Sequence, residues 1–317
     1  MGKRVVITDH TFQVLEAERS AAENAGAIFE AHQCRDADAV AAAVEGADVA
    51  VVQFAPMTEN AIAGLRDGAR IIRYGVGFDN IDVTAARKRA IDVAYIPDYC
   101  TEEVADHTAT LILSLLRKLA RLDAGVRAGR WAVVADAHPL PPFEMTTVGF
   151  IGLGRIGRSV LERLRPFRFR FLVFDPAPGD LPLGAVRVDS RDGLLAVADV
   201  VTLHAPSKLT TRGMINADAL TLMKPTAFLV NSARGDLVDE DALARALNAG
   251  TIAGAALDVF QTEPLPAGSP LRIAPNLLLS PHGAWYSDGS IGRLQSLAAD
   301  EIARALAGRP ARSPVPE

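Results

Sequence analysis

A strand-like run, Val148-Gly149-Phe150-Ile151, leads into Gly152-Leu153-Gly154-Arg155-Ile156-Gly157, a G-x-G-x-x-G turn. Each glycine in that spacing has a physical job. Gly152 permits a tight turn, Gly154 lets the backbone approach a pyrophosphate, and Gly157 lets the following helix pack closely on a sheet. The diphosphate would meet a helix N-terminus, where free N–H groups and the helix dipole favour negative charge. The next apolar run, Phe171–Phe174, ends at Asp175, 18 residues after Gly157, where a carboxylate can accept hydrogen bonds from an adenosine ribose. Asp175 repels a 2′-phosphate, and Pro176 and Ala177 bring no positive charge to offset it, so the pattern points to NAD rather than NADP.

A nicotinamide moves hydride, and hydride addition to a ketone needs a proton donor for the developing alkoxide. Histidine titrates nearest to neutrality. Among the 6 histidines, His107 falls within a helical pattern and His138 in a proline-rich connector, so both read as structural or solvated. His10 follows the first strand without evident partners. His32 and Cys34 make only two ligands, too few for a metal site, and no metal is expected. His204 and His282 each follow a strand's carboxyl end, where ligands bind in open α/β sheets; position does not separate them. An anionic substrate also needs a fixed cation. Arg234, flanked by small residues in Asn231-Ser232-Ala233-Arg234-Gly235, offers the fork that matches a carboxylate. Glu263, just past the strand ending at Asp258, could orient a histidine and favour its charged form.

These residues need a scaffold of alternating strands and helices. Apolar runs at Arg4–Asp9, Ala27–Ala31, Val49–Ala55 and Arg70–Tyr74, with helical segments such as Ala37–Val44 and Glu59–Leu65 among them, predict a first α/β unit with a mostly parallel sheet. A long helix follows from Thr101, with Glu102, Glu103 and Asp106 early and Arg117, Lys118 and Arg121 near its end, an order that suits the helix dipole. Residues 136–145 carry three prolines and predict a connector. Six further strand signals, Thr147–Ile151, Arg170–Phe174, Val200–His204, Ala227–Asn231, Gly254–Asp258 and Leu277–Ser280, predict a doubly wound domain. The tail from Gly308 to Glu317 holds three prolines and is expected to fray.

A net charge of −5 argues against a nucleic-acid surface, which needs clustered Lys and Arg. No uninterrupted run of about 18 apolar residues exists, so no membrane span is expected. The N-terminal residues lack a signal-peptide core, and two cysteines build no disulfide framework, which suits a reducing, cytoplasmic setting.

Taken together, these segments resemble the D-isomer-specific 2-hydroxyacid dehydrogenase family over nearly the whole chain. The likeness is carried by Tyr74-Gly75-Val76-Gly77-Phe78-Asp79-Asn80-Ile81-Asp82, the Gly152–Gly157 turn with Asp175, Asn231–Gly235, Ala256-Leu257-Asp258-Val259, Glu263-Pro264 and Pro281-His282. It implies NAD-dependent hydride transfer between the cofactor and C2 of a small D-2-hydroxy acid or its 2-oxo acid. The implied catalytic set is Arg234, Glu263 and His282, with His282 passing the proton. His204 becomes a cofactor-cleft residue. The implied fold is α/β, with a Rossmann-type doubly wound NAD-binding domain over 101–285 inserted into a flavodoxin-like substrate domain of 1–100 plus 286–317. The Val76 and Gly77 backbone N–H groups, with Arg234 and His282, would bind substrate. Cofactor would meet Gly152, Gly154, Arg155, Ile156, Gly157, Asp175, His204, Ala205, Ser232, Ala233, Arg234, His282 and Trp285, with Asp258 at the nicotinamide carboxamide. The long helix resembles one used in homodimer formation.

Within the family the likeness is greatest to C-terminal binding proteins, at Gly77–Asn80, Glu102–Asp106 and Trp285-Tyr286-Ser287. That branch implies an alternative role, an NAD(H)-sensing corepressor-like binding module. Val104 stands where those proteins carry threonine, so one side-chain hydrogen bond to cofactor is missing. Glu263 speaks against formate dehydrogenase, which has glutamine there, and Val76 against phosphite dehydrogenase, which has lysine.

Overall fold

A computed structural model describes residues 2–177 and 179–316. The chain divides into two compact units, Met1–Cys100 with Tyr286–Glu317, and Thr101–Trp285.

In the first unit, β1 (Arg4–Ile7), β2 (Ile28–Ala31), β3 (Val49–Val52), β4 (Arg70–Arg73) and β5 (Asp92–Tyr95) form a parallel sheet in the order β2-β1-β3-β4-β5. All four residues of β3 are buried, as an apolar strand covered on both faces must be. The sequence pattern does not single out β5, which is four residues long, opens on a charged Asp92 and shows no alternation to read. The helix Asp288–Leu306 belongs to this unit. Ser287 and Ser290 cap it reciprocally, and it buries Leu294, Ala298, Ile302 and Leu306 while packing on the helix Glu16–Asn24 and on β4.

Through Pro316 the tail is not frayed, and Glu317 lies outside the described residues. Ser313 accepts a hydrogen bond from Tyr95 N at 3.0 Å, Val315 N donates to Val93 O at 2.9 Å, and Val315 is buried on the core. Its prolines are tolerated because the segment only bridges the outer edge of β5, antiparallel at Ala94 and Pro314. Deeper in, the buried Arg70 of β4 donates to Glu301 Oε1 at 3.0 Å, to Asp92 Oδ2 at 3.1 Å and to Arg309 O at 2.8 Å. With the Arg70 and Glu301 side chains 8% and 4% exposed, removing Glu301 leaves the buried guanidinium with the largely exposed Asp92 as its remaining ion-pair partner among the described residues. Glu301→Leu should therefore lower unfolding free energy by roughly 3 kcal/mol in urea titration, and an unchanged midpoint would show that the pair holds nothing.

The second unit opens with the helix Thr101–Leu116, shorter than its charge pattern suggests. The backbone turns left-handed at Lys118 (φ 51°), and a new helix, Leu119–Arg127, carries Arg121. The proline-bearing segment is less irregular than expected: a short helix, Val133–Ala137, and a 3-10 turn, Phe143–Met145, flank Pro139, Pro141 and Pro142. Then come β6 (Thr147–Ile151), β7 (Arg170–Phe174), β8 (Ala185–Arg187), β9 (Val200–Leu203), β10 (Phe228–Asn231), β11 (Gly254–Leu257) and β12 (Leu277–Leu279). They form one parallel sheet in the order β12-β11-β10-β9-β6-β7-β8. The unanticipated member, β8, is a three-residue, largely exposed edge. Strand residues alternate between two apolar layers: Val148, Phe150, Val230 and Ala256 pack toward Ile112 and Leu161, while Ile151, Leu229, Ala255 and Leu257 pack toward Leu195 and Leu243. The winding direction reverses between β6 and β9. In a doubly wound sheet that reversal opens a crevice at the strands' carboxyl ends.

Candidate active site

The glycine turn sits at that reversal. Gly152 N donates to Phe174 O at 2.9 Å, and His204 N donates to Ile151 O at 2.8 Å, so the ends of β6, β7 and β9 are tied together. Gly152 has φ +87°, and a Cβ there would lie 2.8 Å from the His204 backbone, so no other residue fits. The helix Arg155–Leu164 begins at Gly154 with no side-chain cap and no acid in its first turn, leaving its N–H groups free for an anion. A Cβ built on Gly154 meets no atom within 4 Å, so the approach to those N–H groups is clear. Asp175 folds back on the turn, accepting from Leu153 N at 2.7 Å and Ala177 N at 2.8 Å. These residues fit a dinucleotide. Arg187, a cation near Asp175, donates to Asp175 O at 2.7 Å and Gly179 O at 2.8 Å, so its guanidinium is engaged by backbone carbonyls.

His204 and His282 differ in what surrounds them. His204 stacks on Phe150 with ring centroids 5.6 Å apart, its Nε2 is 3.0 Å from Thr202 Oγ1, and burial pushes its pKa down to about 3. It is a neutral ring, suited to lining a crevice. His282 is half-exposed after β12, with Nδ1 at 2.7 Å from Glu263 Oε2. Glu263 Oε1 accepts Phe260 N at 2.9 Å. Burial pushes the Glu263 carboxyl up, but the hydrogen bond and charge of His282, the Phe260 N–H and the charge of Arg234 outweigh it and hold the group below its ordinary value. Arg234 is placed by an Asx turn, in which Asn231 Oδ1 accepts Ala233 N at 3.0 Å and Asn231 Nδ2 donates to Arg234 O at 2.8 Å. Asp258, buried at the end of β11, accepts from Ser280 Oγ at 2.6 Å, Gly283 N at 2.9 Å and Ala284 N at 3.0 Å. Ser232 Oγ lies 2.6 Å from Thr108 Oγ1 of the 101–116 helix. Ala205 and Ala233 follow β9 and β10, and Trp285 is half-buried at the end of the unit.

Residues 109–284 match the family described as D-isomer-specific 2-hydroxyacid dehydrogenase, NAD-binding domain. A glyoxylate reductase from Thermofilum pendens is 39% identical over 243 residues, 75% of this chain and 72% of that protein. The NADPH-dependent glyoxylate/hydroxypyruvate reductase of Sinorhizobium meliloti superposes with a TM-score of 0.84 at 31% identity, over 99% of this chain and 97% of the other. The D-lactate dehydrogenase of Aquifex aeolicus, solved with NAD and lactic acid, gives 0.84 at 28% identity over 96% of each chain.

The chain belongs to the D-isomer-specific 2-hydroxyacid dehydrogenase family. Like other members it is an NAD-dependent oxidoreductase with a Rossmann NAD-binding domain.

In this dehydrogenase, Val76 and Gly77 lie in the first unit, in the loop after β4. The loop is shaped by Gly75 (φ +152°), where a Cβ would sit 2.4 Å from Arg73 Nη1. Arg73 is a residue that sequence reasoning passed over. Its guanidinium folds across Gly75 and donates to Tyr74 O at 2.5 Å, adding positive charge beside the loop. Its place one residue before Tyr74-Gly75-Val76-Gly77 was the available signal. His107, which reads from the sequence as structural or solvated, has its Nε2 3.0 Å from Ser280 Oγ and 3.7 Å from Asp258 Oδ1. Among the described residues, no group of three or more His, Cys, Asp or Glu is placed to hold a metal, and no helix is long and apolar enough to cross a membrane.

The depressed Glu263 carboxyl makes a prediction about pH. A group whose folded-state value is lowered contributes stability above its ordinary value of 4.5, and that contribution is lost as pH falls through the folded-state value. Glu263→Gln should therefore unfold at lower urea than wild type near neutrality, with the gap closing below pH 4.5. A gap independent of pH would remove the carboxylate as its cause.

Proposed function

We propose that this dehydrogenase reduces glyoxylate or a similarly small 2-oxo acid at C2, giving the D-hydroxy acid where a stereocentre forms, with His282 as the proton donor. The observation that carries the reading is the 2.7 Å hydrogen bond between His282 Nδ1 and Glu263 Oε2 at the carboxyl end of the sheet. NADH would supply the hydride when bound; Gly154, Arg155, Ile156 and Gly157 would hold its diphosphate and Asp175 its ribose. With Nδ1 committed to Glu263, the proton leaves His282 from Nε2, and the ionised Glu263 stabilises the charged ring until then. Arg234 binds the substrate carboxylate and fixes its orientation. The names of the glyoxylate reductase relatives support a substrate with a short side chain. A chain with two cysteines, Cys34 and Cys100, suits a cytoplasmic enzyme.

NADH oxidation against a panel of 2-oxo acids tests this. Wild type should turn over glyoxylate, and His282→Ala should lose about 100-fold or more in kcat. An undiminished variant would remove His282 from the mechanism.

Trp285-Tyr286-Ser287, the likeness to C-terminal binding proteins, favours a second reading as an NADH-sensing binding module. Tight NADH binding without turnover of any 2-oxo acid would favour that reading instead.

The chain also carries a surface suited to a homodimer. On the segment after the 101–116 helix, Trp131 is 91% exposed, and Leu119, Val126, Val133 and Val134 are exposed as well, apolar surface that water disfavours. Light scattering should find a dimer in wild type and a shift toward monomer in Trp131→Ser with Val134→Ser; a monomeric wild type would contradict this assignment.

A further inference from the structure

His282 has a backbone that histidine seldom adopts. Its φ is +50°, in the left-handed region that side chains with a Cβ avoid. Such a conformation persists only where surrounding bonds over-determine it. Here Asp258 supplies most of them. Its main-chain oxygen accepts His282 N at 2.7 Å, and its carboxylate accepts the next two backbone N–H groups, Gly283 to Oδ1 and Ala284 to Oδ2. The turn is thus clamped on both sides of the imidazole by one residue.

The clamp is itself held from a distant part of the sequence. Ser280 Oγ lies 2.6 Å from Asp258 Oδ1 and 3.0 Å from His107 Nε2. A hydroxyl has one proton to give, and a carboxylate that already collects backbone N–H groups only accepts. The Ser280 proton therefore goes to Asp258, and Ser280 Oγ must accept from His107, which fixes the proton of His107 on Nε2. The bonds run in one direction, from His107 N–H to Ser280 Oγ and from Ser280 O–H to the Asp258 carboxylate. His107 stands 173 residues before Ser280, on the 101–116 helix, and is half-buried. The neighbouring Thr108 reaches Ser232 in the same way, so two consecutive side chains of this helix brace loops at the sheet's carboxyl edge.

We propose that His107 is a positioning residue for the proton donor, acting through Ser280 and Asp258 to hold the left-handed turn that presents His282. It touches no reacting atom. The proposal rests on the reading of His282 as the proton donor, and its test includes a readout that does not.

Three variants serve, His107→Leu, His107→Gln and Ser280→Ala, with the double variant His107→Leu/Ser280→Ala. For each, kcat and KM with glyoxylate, NADH affinity by fluorescence, melting temperature and amide exchange of the 280–285 segment in the cofactor-free protein are measured. His107→Leu and Ser280→Ala should each lower kcat about tenfold with NADH affinity nearly unchanged, a loss equivalent to about 1.4 kcal/mol. They should also speed exchange at Gly283 and Ala284 by about tenfold. The double variant should be no worse than either single one, because both cut the same line. His107→Gln, which keeps an N–H donor, should recover most of kcat and of the protection. Unchanged exchange in both single variants, losses that multiply in the double variant, or a fall in kcat that merely tracks melting temperature would each overturn the proposal. If wild type turns over no 2-oxo acid, or His282→Ala is fully active, the functional reading fails instead, and the exchange data still decide whether His107 holds the turn.

Discussion

A carboxylate buried at the carboxyl end of a parallel strand can accept the backbone N–H groups of a neighbouring loop, and each unit of this dehydrogenase is organised around one. In the second unit Asp258 gathers Ser280, Gly283 and Ala284. In the first, Asp9 follows β1 and accepts Gln53 N at 3.0 Å, Phe54 N at 2.6 Å and Ala55 N at 3.1 Å. Loops at these positions lack the ladder bonds of the strands they leave, and their N–H groups need partners of comparable strength. A charged acceptor supplies several at once and each is stronger than a neutral bond. The loops can then carry chemistry without being floppy. Without Asp258, the histidine turn would be a non-glycine left-handed kink with few reasons to persist.

The parallel sheets make this arrangement possible. Every strand of a parallel sheet ends on the same edge, so the loops after β6, β7, β9, β10, β11 and β12 converge although they are far apart in sequence. Gly152, Asp175, His204, Arg234, Glu263 and His282 all follow strands of one sheet for that reason. Electrostatics then divides the labour. The two histidines that follow strands look equivalent as letters, yet one stacks on Phe150 in a site that expels charge while the other faces a carboxylate kept ionised by its neighbours.

Much of this was legible in the sequence because it rests on local physics. The glycine turn, the strands of the NAD-binding domain and Arg234 among small residues all declare themselves within a few positions. What escaped depends on contacts made far along the chain or on marks too short to read. β5 and β8 are four and three residues long and show no period. The helix break at Lys118 carries no glycine or proline to announce it, since the left-handed residue is a lysine. The proline-bearing tail looked frayed because its partner, the edge of β5, was itself unseen. His107 read as a helix residue because its acceptor, Ser280, is a lone serine 173 positions away.

The discontinuous first unit has a consequence in time. Arg70 is made early and Glu301, its buried partner, 231 residues later. At about 5–20 residues per second, the interval is on the order of ten to fifty seconds. Throughout it, the face of the Glu16–Asn24 helix that receives the final helix stays uncovered, and β5 lacks the segment that covers its edge. The second unit is completed within that same interval. Newborn chains thus pass through a stage in which the five-stranded sheet is already made but its final helix is not.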